Sequence, residues 1–174
     1  MEVEAAIRTQ RVIRRFSERP LADADVTAIL NAGRRTGSSK NLQRWAFIVV
    51  RDRARLAELA RVGDFAGHVA GATVAIALVT PDPSAGGPHS ILWDLGRAAQ
   101  NMTLLAWARG IGSAPATVYD QALCRRILGY PAEQHCEYVL SFGYPADAAK
   151  LSAPPRAGGR RPLDELVHNE TWHG

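Results

Sequence analysis

The chain is poor in cysteine and in long apolar runs, and each shortage excludes a class of protein. Its two cysteines, Cys124 and Cys136, are too few for a disulfide framework and stand in no spacing typical of a metal site. No apolar stretch is long enough to span a bilayer. Residues 1–4 are acidic and no apolar run follows them, unlike a secretory signal. We therefore expect a cytoplasmic protein with free thiols, no metal site and no membrane partner.

Lysine is scarce as well. The sequence has 21 Lys and Arg against 17 Asp and Glu, a formal net charge of +4, and all of its cations except Lys40 and Lys150 are arginines. Because a guanidinium binds a planar anion through two hydrogen bonds at once, this bias favours phosphate or carboxylate recognition. No helix-turn-helix and no aromatic interleaving accompany the charge, so we do not expect a nucleic-acid partner.

The common catalytic signatures are also missing. The chain has no Walker loop, no GxGxxG after its first strand, and no GxSxG or HExxH motif. Its five histidines stand apart from one another. Asp94 lies in a largely apolar predicted helix, where we expect it to make a buried structural hydrogen bond. Since no nucleophile and no acid–base pair is visible, an enzyme with this sequence would need a cofactor to carry the chemistry.

The hydrophobic patterning predicts one domain, residues 1–174, of the α+β class with three or four strands. Strands are predicted at 46–50, 73–79 and 138–142, and helices at 2–9, from Asp23 to Gly33, after Asp52, at 90–109 and after Asp120. We expect a buried strand at 46–50 and a short linker at 113–118. The helix at 90–109 is apolar around nearly its whole circumference, so it is either the central helix of the domain or shared with a second subunit.

One polar patch that could hold a cofactor is the loop of residues 37–45. It carries a glycine, two hydroxyls, two amides and two cations directly before the strand at 46–50. Ser39, Asn41 and Gln43 alternate along it and offer the donors and acceptors that the edge of a heterocycle needs. The alternative is an ordinary helix cap and turn, because Gly, Ser and Asn are common turn residues.

A second patch lies near the N-terminus, at residues 11–14. If this segment is extended, Arg11 and Val12 point to opposite sides of the backbone. Near the other end of the chain, Arg160 and Arg161 could bind a phosphate.

Short segments in this order resemble motifs of the FMN-dependent nitroreductase family. Residues 11–16 resemble its N-terminal flavin segment, and residues 38–47 resemble its Ser-x-x-Asn-x-Gln-Pro-Trp loop. Residues 94–101 resemble the start of its central helix, and residues 110–113 resemble the turn after that helix. Residues 143–145 and 160–163 resemble its last strand turn and its phosphate-binding tail. Each segment is short, but their common order along the chain is specific.

The resemblance implies a nitroreductase-like fold, in which helices flank a mostly antiparallel sheet and two chains intertwine as a homodimer with FMN at the interface. It implies that Arg11 and Arg160 face the phosphate and ribityl chain, and that Arg14 lies near flavin N1 and the C2 carbonyl. It further implies that Ser39 and Asn41 come from the partner subunit, that Gln43 reaches the ring, and that the backbone of the segment Pro115, Ala116 and Thr117 meets flavin N5. The remaining implied cofactor-binding positions are Val12, Ser38 and Arg161.

The resemblance also implies an activity, in which NAD(P)H reduces FMN and a nitroaromatic, a quinone or a similar small acceptor collects the electrons. No acid–base residue is required, and a cation near N1 stabilises negative charge where it develops. Three alternatives remain open at this point. The chain could bind flavin without turnover, it could act on the flavin itself or on a halogenated substrate as some relatives do, or it could hold a deazaflavin in place of FMN.

Four positions depart from the family pattern. Gln10 replaces a basic residue, Val12 replaces a serine, Arg44 replaces the proline before the tryptophan, and Gly158 replaces a second basic phosphate ligand. Phosphate binding is therefore expected to depend on the arginines named above. The segment between the third helix and the 73–79 strand is short, so we expect no helical lid there.

Overall fold

The computed structural model describes residues 1–154 and 159–172. In chain order the elements are α1 (Val3–Thr9), α2 (Asp23–Arg34), β1 (Ala46–Val50), α3 (Arg53–Leu59), β2 (Val74–Pro81), α4 (Ser90–Ala108), β3 (Gly112–Thr117), α5 (Gln121–Leu128) and β4 (Gln134–Gly143). Short 3-10 turns lie at Ser39–Asn41, Ala66–Gly71, Pro83–Ala85, Ala148–Leu151 and Leu163–Glu165. The expected α+β class is confirmed.

The four strands form one antiparallel sheet in the order β1-β2-β4-β3. Strand β2 is buried along nearly its whole length because helices cover both faces of the sheet. Its side chains alternate, so that Val74, Ile76 and Leu78 belong to the core beneath α2 and α4. Ala75 and Ala77 belong to the opposite core, which α3, α5 and the turn Ala66–Gly71 cover.

Two of the helices predicted at aspartates, α3 and α5, begin directly after the aspartate that caps them, whereas α2 begins at Asp23 itself and has Ala22 as its cap. The Asp52 carboxylate accepts a hydrogen bond from the Arg55 amide at 2.9 Å, and the Asp120 carboxylate accepts one from the Leu123 amide at 2.8 Å. Helix α4 ends at Ala108, and Gly110 two residues later has a φ of +72°, a left-handed conformation that turns the chain away from the helix axis. The amide of the next residue, Ile111, donates to the Ala106 carbonyl, and strand β3 begins directly after it.

Residues 113–118 are not the predicted linker, because most of them lie in strand β3. Gly112 pairs with Gly143 and Thr117 pairs with Tyr138, with unbroken register between. Small side chains and a proline hide the strand from pattern analysis, and its pairing with β4 is what fixes it.

Strand β1 is present where predicted, but it lies at the edge of the sheet. Of its five residues only Val50 is buried, and Val49 is exposed. The prediction of a buried strand was wrong because an apolar run alone does not distinguish a central strand from an edge strand.

Helix α4 is buried on one side and open on the other in the single chain. Ala98, Met102 and Ala106 are fully buried, whereas Leu92 is 41 % exposed and Trp93 is 70 % exposed. The expectation of a helix buried all round is thus met on one face only. In the described part of the chain, no helix combines the length and the apolar content needed to traverse a bilayer.

Candidate functional site

The N-terminal segment, residues 11–17, runs along the outer edge of β3. Val12 forms a parallel bridge with Ser113, and the Ile13 amide donates to the Ser113 carbonyl at 2.9 Å. Further along, the Ser17 amide donates to the Tyr144 carbonyl at 2.8 Å. The segment therefore contacts the start of β3 at Ser113 and then crosses to the end of β4.

Two glycines allow this close approach. A Cβ atom on Gly112 would lie 2.6 Å from the Cβ of Ile13, and one on Gly143 would lie 2.9 Å from the Cβ of Phe16. Both distances are shorter than any relaxed contact between carbon atoms. Gly112 and Gly143 belong to the segments 110–113 and 143–145 that the sequence singles out, and their role is to seat the N-terminal segment.

The predicted cofactor residues of this segment differ in their surroundings. Arg11 is half-buried, and its guanidinium donates to the Thr9 carbonyl at 2.7 Å and to the carbonyl of Ala153. The second contact ties the N-terminal segment to the chain beyond β4. Val12 and Arg14 are exposed. An exposed guanidinium beside a paired strand edge can bind an anion from solution.

Strand β3 itself presents the predicted residues 115–117. Pro115 is exposed, Ala116 is buried in the core beneath α3 and α5, and Thr117 is half-buried. Proline has no amide proton and the strand lies outermost of the four, which is the position that tolerates it.

One residue near these groups was missed by the sequence analysis. His68, in the 3-10 turn Ala66–Gly71, places Nδ1 2.8 Å from the Ser141 hydroxyl of β4. Burial lowers the pKa of His68 below its ordinary value, while the backbone carbonyl of Pro115 raises it and the Arg14 guanidinium lowers it. The ring of His68 is thus close to the Pro115 carbonyl, and it lies within the electrostatic reach of the Arg14 guanidinium. Its sequence neighbours carry no signal of this, since its partner Ser141 is 73 residues away.

The loop of residues 37–45 forms a tight, polar turn. The Ser38 hydroxyl accepts from the Gln43 amide at 2.9 Å, and the Gln43 side chain donates to the Asn41 side-chain oxygen at 3.2 Å. Lys40, Asn41 and Gln43 all have positive φ, between +47° and +54°. Non-glycine residues in this region cost free energy and are concentrated at functional sites. The side chains of Ser39, Asn41 and Gln43 are exposed.

Helix α4 holds this loop in place. The Asp94 carboxylate accepts from the Ser39 amide at 2.8 Å, and Arg97 donates to the Gly37 carbonyl at 3.0 Å. Asp94 is 8 % exposed. The structural hydrogen bond expected of Asp94 is confirmed, and it joins the central helix to the candidate binding loop.

A single chain does not bring the two patches together. The loop 37–45 precedes β1 at one edge of the sheet, and the N-terminal segment flanks β3 at the other. Three interstrand spacings, roughly 14 Å in total, separate those edges.

Two of the departures from the family pattern have structural partners. Gln10 accepts a hydrogen bond from Gln100 of α4 at 3.1 Å, so this position joins the N-terminal segment to the helix. The Arg44 carbonyl accepts from the buried Thr80 hydroxyl at 2.6 Å, which fixes the backbone where the family has proline. Gly158 lies outside the described residues.

The C-terminal arginines are not brought to the site by the described residues. Arg160 and Arg161 are both exposed, and Arg161 pairs with Glu165, donating to its carbonyl at 3.3 Å and approaching its carboxylate at 3.9 Å. Within residues 1–154 and 159–172, neither hydrogen-bonds with residues 11–17. Their role at a phosphate remains a prediction.

Comparisons with known proteins agree on one family. The model of the nitroreductase family matches residues 7–67 and 62–144 of the chain. A protein of Archaeoglobus fulgidus, provisionally named NADH dehydrogenase/NAD(P)H nitroreductase, is 34 % identical over 95 % of this chain and 96 % of its own length.

Solved structures share the fold. A provisionally named nitroreductase from Desulfovibrio desulfuricans, crystallised in complex with FMN, is 29 % identical with a TM-score of 0.80 and 99 % of each chain covered. An FMN-dependent nitroreductase from Clostridium difficile is 21 % identical with a TM-score of 0.82, covering 97 % of this chain and 99 % of its own.

Proposed function

The chain belongs to the nitroreductase family, and from this we propose that it is an FMN-dependent oxidoreductase. NAD(P)H is the proposed electron donor, and a nitroaromatic, a quinone or a similar small molecule is the proposed acceptor. The similar proteins named for FMN and for NAD(P)H support this proposal. We further propose that residues 1–174 act as one domain in the cytoplasm.

The donor set of the chain fits a flavin mononucleotide. FMN combines an anionic phosphate, a hydroxylated chain and a flat heterocycle whose edge offers both donors and acceptors. The N-terminal segment supplies the guanidinium groups of Arg11 and Arg14, which suit an anion and an electron-rich ring edge. The loop supplies the amides of Asn41 and Gln43, which provide both donors and acceptors. Exposed Pro115 leaves room on β3 for a flat ring.

The observation that carries the proposal is the seating of the N-terminal segment on β3. Gly112 and Gly143 accept the side chains of Ile13 and Phe16, and the backbone bond from Ile13 to Ser113 fixes the register. The pairing of Val12 and Ile13 with Ser113 fixes the backbone of the next residue, Arg14, near the start of β3 without any ligand being required. Preorganised donors of this kind stabilise charge at little cost in reorganisation.

We propose that two copies of the chain complete each site. The loop side chains of Ser39, Asn41 and Gln43 are exposed and lie at the sheet edge opposite Arg14. The outer face of α4 is exposed and apolar at Leu92 and Trp93, which a second copy would cover. A homodimer packed on this face places the loop of one chain near the arginines of its partner.

Each residue has a distinct task in this proposal. FMN, when bound, supplies the redox chemistry by taking two electrons from NAD(P)H and passing them to the acceptor. Arg11 and Arg160 hold the phosphate and ribityl chain, with Arg161 beside them, and Arg14 neutralises negative charge at the pyrimidine edge of the ring. The backbone of residues 115–117 orients the ring, and within each chain Asp94 holds the loop 37–45 in the conformation that the loop presents to the partner's site.

The test is an anaerobic titration of the FMN-loaded protein. Bleaching of the flavin absorbance by NADH or NADPH, followed by recovery on adding a quinone or a nitroaromatic, is the expected result. Tight FMN binding with no bleaching by either nicotinamide would contradict the reductase proposal and would indicate a flavin-binding protein without turnover. Product analysis separates reduction of the acceptor from dehalogenation or from cleavage of the flavin.

A further inference from the structure

The hydrogen-bond network at His68 defines which of its nitrogens carries the proton. The Ser141 hydroxyl is fully buried, lies 3.1 Å from the Ala114 carbonyl and lies 2.8 Å from His68 Nδ1. A hydroxyl has a single proton, and a carbonyl can only accept. Ser141 therefore donates to Ala114 and accepts from Nδ1–H of the imidazole. In the neutral ring this leaves Nε2 as an unprotonated acceptor.

That second nitrogen is buried and unsatisfied. Nε2 of His68 has no hydrogen-bond partner among the described residues. Buried polar atoms without partners are rare in folded proteins and call for a physical or functional reason. A proton added at Nε2 would convert this acceptor into a donor while the bond from Nδ1 to Ser141 stays intact.

Burial is the main cause that lowers the pKa of His68, and the charges near the ring add to this effect. The elements packed against the turn Ala66–Gly71 are α3, β3 and β4. The Ser141 hydroxyl and the Pro115 carbonyl come from β4 and β3, and α3 places the Arg53 guanidinium 3.1 Å from the Ala72 carbonyl, directly after the turn. The charged group whose effect on the ring is resolved is Arg14 of the N-terminal segment, which disfavours a second positive charge.

We propose that His68 is a positioning residue that balances charge, taking up one proton from solvent at Nε2 when negative charge is placed against Arg14. The proposal rests on the proposed function, in which the pyrimidine edge of FMN lies at Arg14. Two electrons delivered by NAD(P)H add negative charge there, and this charge offsets the repulsion between the guanidinium and a protonated imidazole. The proton is bound by His68 alone, so no bond to the cofactor forms or breaks.

Protonation of His68 would strengthen its contacts with strand β3. A protonated ring is favoured by the Pro115 carbonyl and keeps its hydrogen bond to Ser141, which in turn bonds to Ala114. His68 therefore tightens its hold on the strand residues next to the ring at the stage when the site carries most negative charge. An apolar or non-titrating residue at position 68 cannot respond in this way.

The first test measures the protonation of His68 directly. NMR signals of the imidazole Cε1–Hε1 group, assigned by their loss in H68N, are titrated in the full chain without flavin, with oxidised FMN, and with FMN reduced anaerobically by dithionite. We expect the pKa of His68 to rise by about one unit or more on reduction, the range for a new neighbouring opposite charge. The NMR signals of His135, which lies near the other end of β4 and contacts Glu137 at 2.8 Å, serve as the internal control for sample conditions.

The second test uses H68N, whose side-chain amide can still donate to Ser141 but cannot titrate. The midpoint potential of bound FMN is measured against pH in the native and variant proteins. At pH values between the pKa of His68 in the oxidised and in the reduced protein, proton uptake steepens the native slope relative to H68N, by at most about 30 mV per pH unit for one proton per two electrons. A purely structural His68 would give equal slopes in the two proteins.

The two proposals fail in different ways. A protein that binds no FMN, or whose FMN neither nicotinamide bleaches, contradicts the proposed function before His68 is considered. A protein whose FMN is bleached by NAD(P)H, but whose His68 pKa is the same in both redox states, overturns the inference about His68 and leaves the proposed function standing. Equal potential slopes in native protein and H68N overturn it as well.

Discussion

Replacing Gly112 with alanine should displace the N-terminal segment from β3 and weaken the flavin site without touching any proposed ligand. The added Cβ would lie 2.6 Å from Cβ of Ile13 and 2.8 Å from both of its γ carbons. Ile13 cannot easily move away, because it is 6 % exposed and its amide is bonded to the Ser113 carbonyl. The strain must therefore be relieved by moving the segment that carries Arg11 and Arg14.

Overpacking of a core contact costs about 1–3 kcal/mol. For a chain of this size each kcal/mol lowers Tm by about 2–4 °C, so G112A should melt several degrees below the native protein at equal concentration. A displacement of the arginines worth about 1.4 kcal/mol would raise the FMN Kd tenfold. Both values come from a thermal melt and a fluorescence titration with FMN.

A matched control is available in G71A, because a Cβ on Gly71 meets nothing within 4 Å. This variant should stay within about 0.5 kcal/mol of the native stability and should bind FMN normally. If G112A also kept the native Tm and the native Kd for FMN, the contact between Ile13 and Gly112 would not be what holds the N-terminal segment in place. The proposed positioning of Arg11 and Arg14 would then be wrong.

Three further predictions follow from other contacts. D94A should destabilise the loop around Ser39 by about 1.5–3 kcal/mol through loss of a hydrogen bond to a charged group, and D94N, which keeps an acceptor, should lose less; urea unfolding measures both. R160A should weaken FMN binding by about 1.5–3 kcal/mol, and an unchanged Kd would remove Arg160 from the site. The native pKa of His68 lies below its ordinary value of 6.5, so the unfolded chain binds more protons in mild acid. The contribution of His68 to stability should thus be present above that value and lost as pH falls through the native pKa, and unfolding of H68N should depend less steeply on pH in this range.

Local chemistry made much of the fold predictable from the sequence. Asp52 and Asp120 cap helices where the sequence places them, since a side-chain carboxylate one residue before a helix satisfies an amide that the helix leaves unpaired. The continuous apolar run at 73–79 predicts β2, because a strand covered by helices on both faces has no polar side.

Features that depend on distant partners were not predictable from local patterns. The residues of strand β3 were predicted to form a linker because they are small and include Pro115. They form a strand because they pair with β4. Strand β1 has the composition of a core strand and yet has a neighbour on one side only. In both cases the order of the strands in the sheet determines the environment of the segment, and a stretch of five or six residues does not reveal that order.

The residues of the candidate site also differ in whether the local sequence reveals them. The polar loop and the N-terminal arginines are visible in the sequence because their residue types are concentrated in short segments. The role of His68 cannot be predicted from its sequence neighbours, because Ser141 and Arg14 interact with it only after the chain has folded. The glycines at 112 and 143 are conspicuous as residues, but their purpose, to make room for Ile13 and Phe16, requires the structure.

The central claim is that Arg14 of one copy and the loop of the other copy form one flavin site. The direct test is FMN binding to a purified heterodimer, co-expressed with two different affinity tags, in which one chain carries R14Q and the other carries N41A. Twofold symmetry then leaves one site with both native residues and one with neither. We predict that each variant homodimer binds FMN weakly, while the heterodimer recovers one tight site per dimer. A heterodimer with no tight site would show that the arginine and the amide act within the same chain, and would contradict the account.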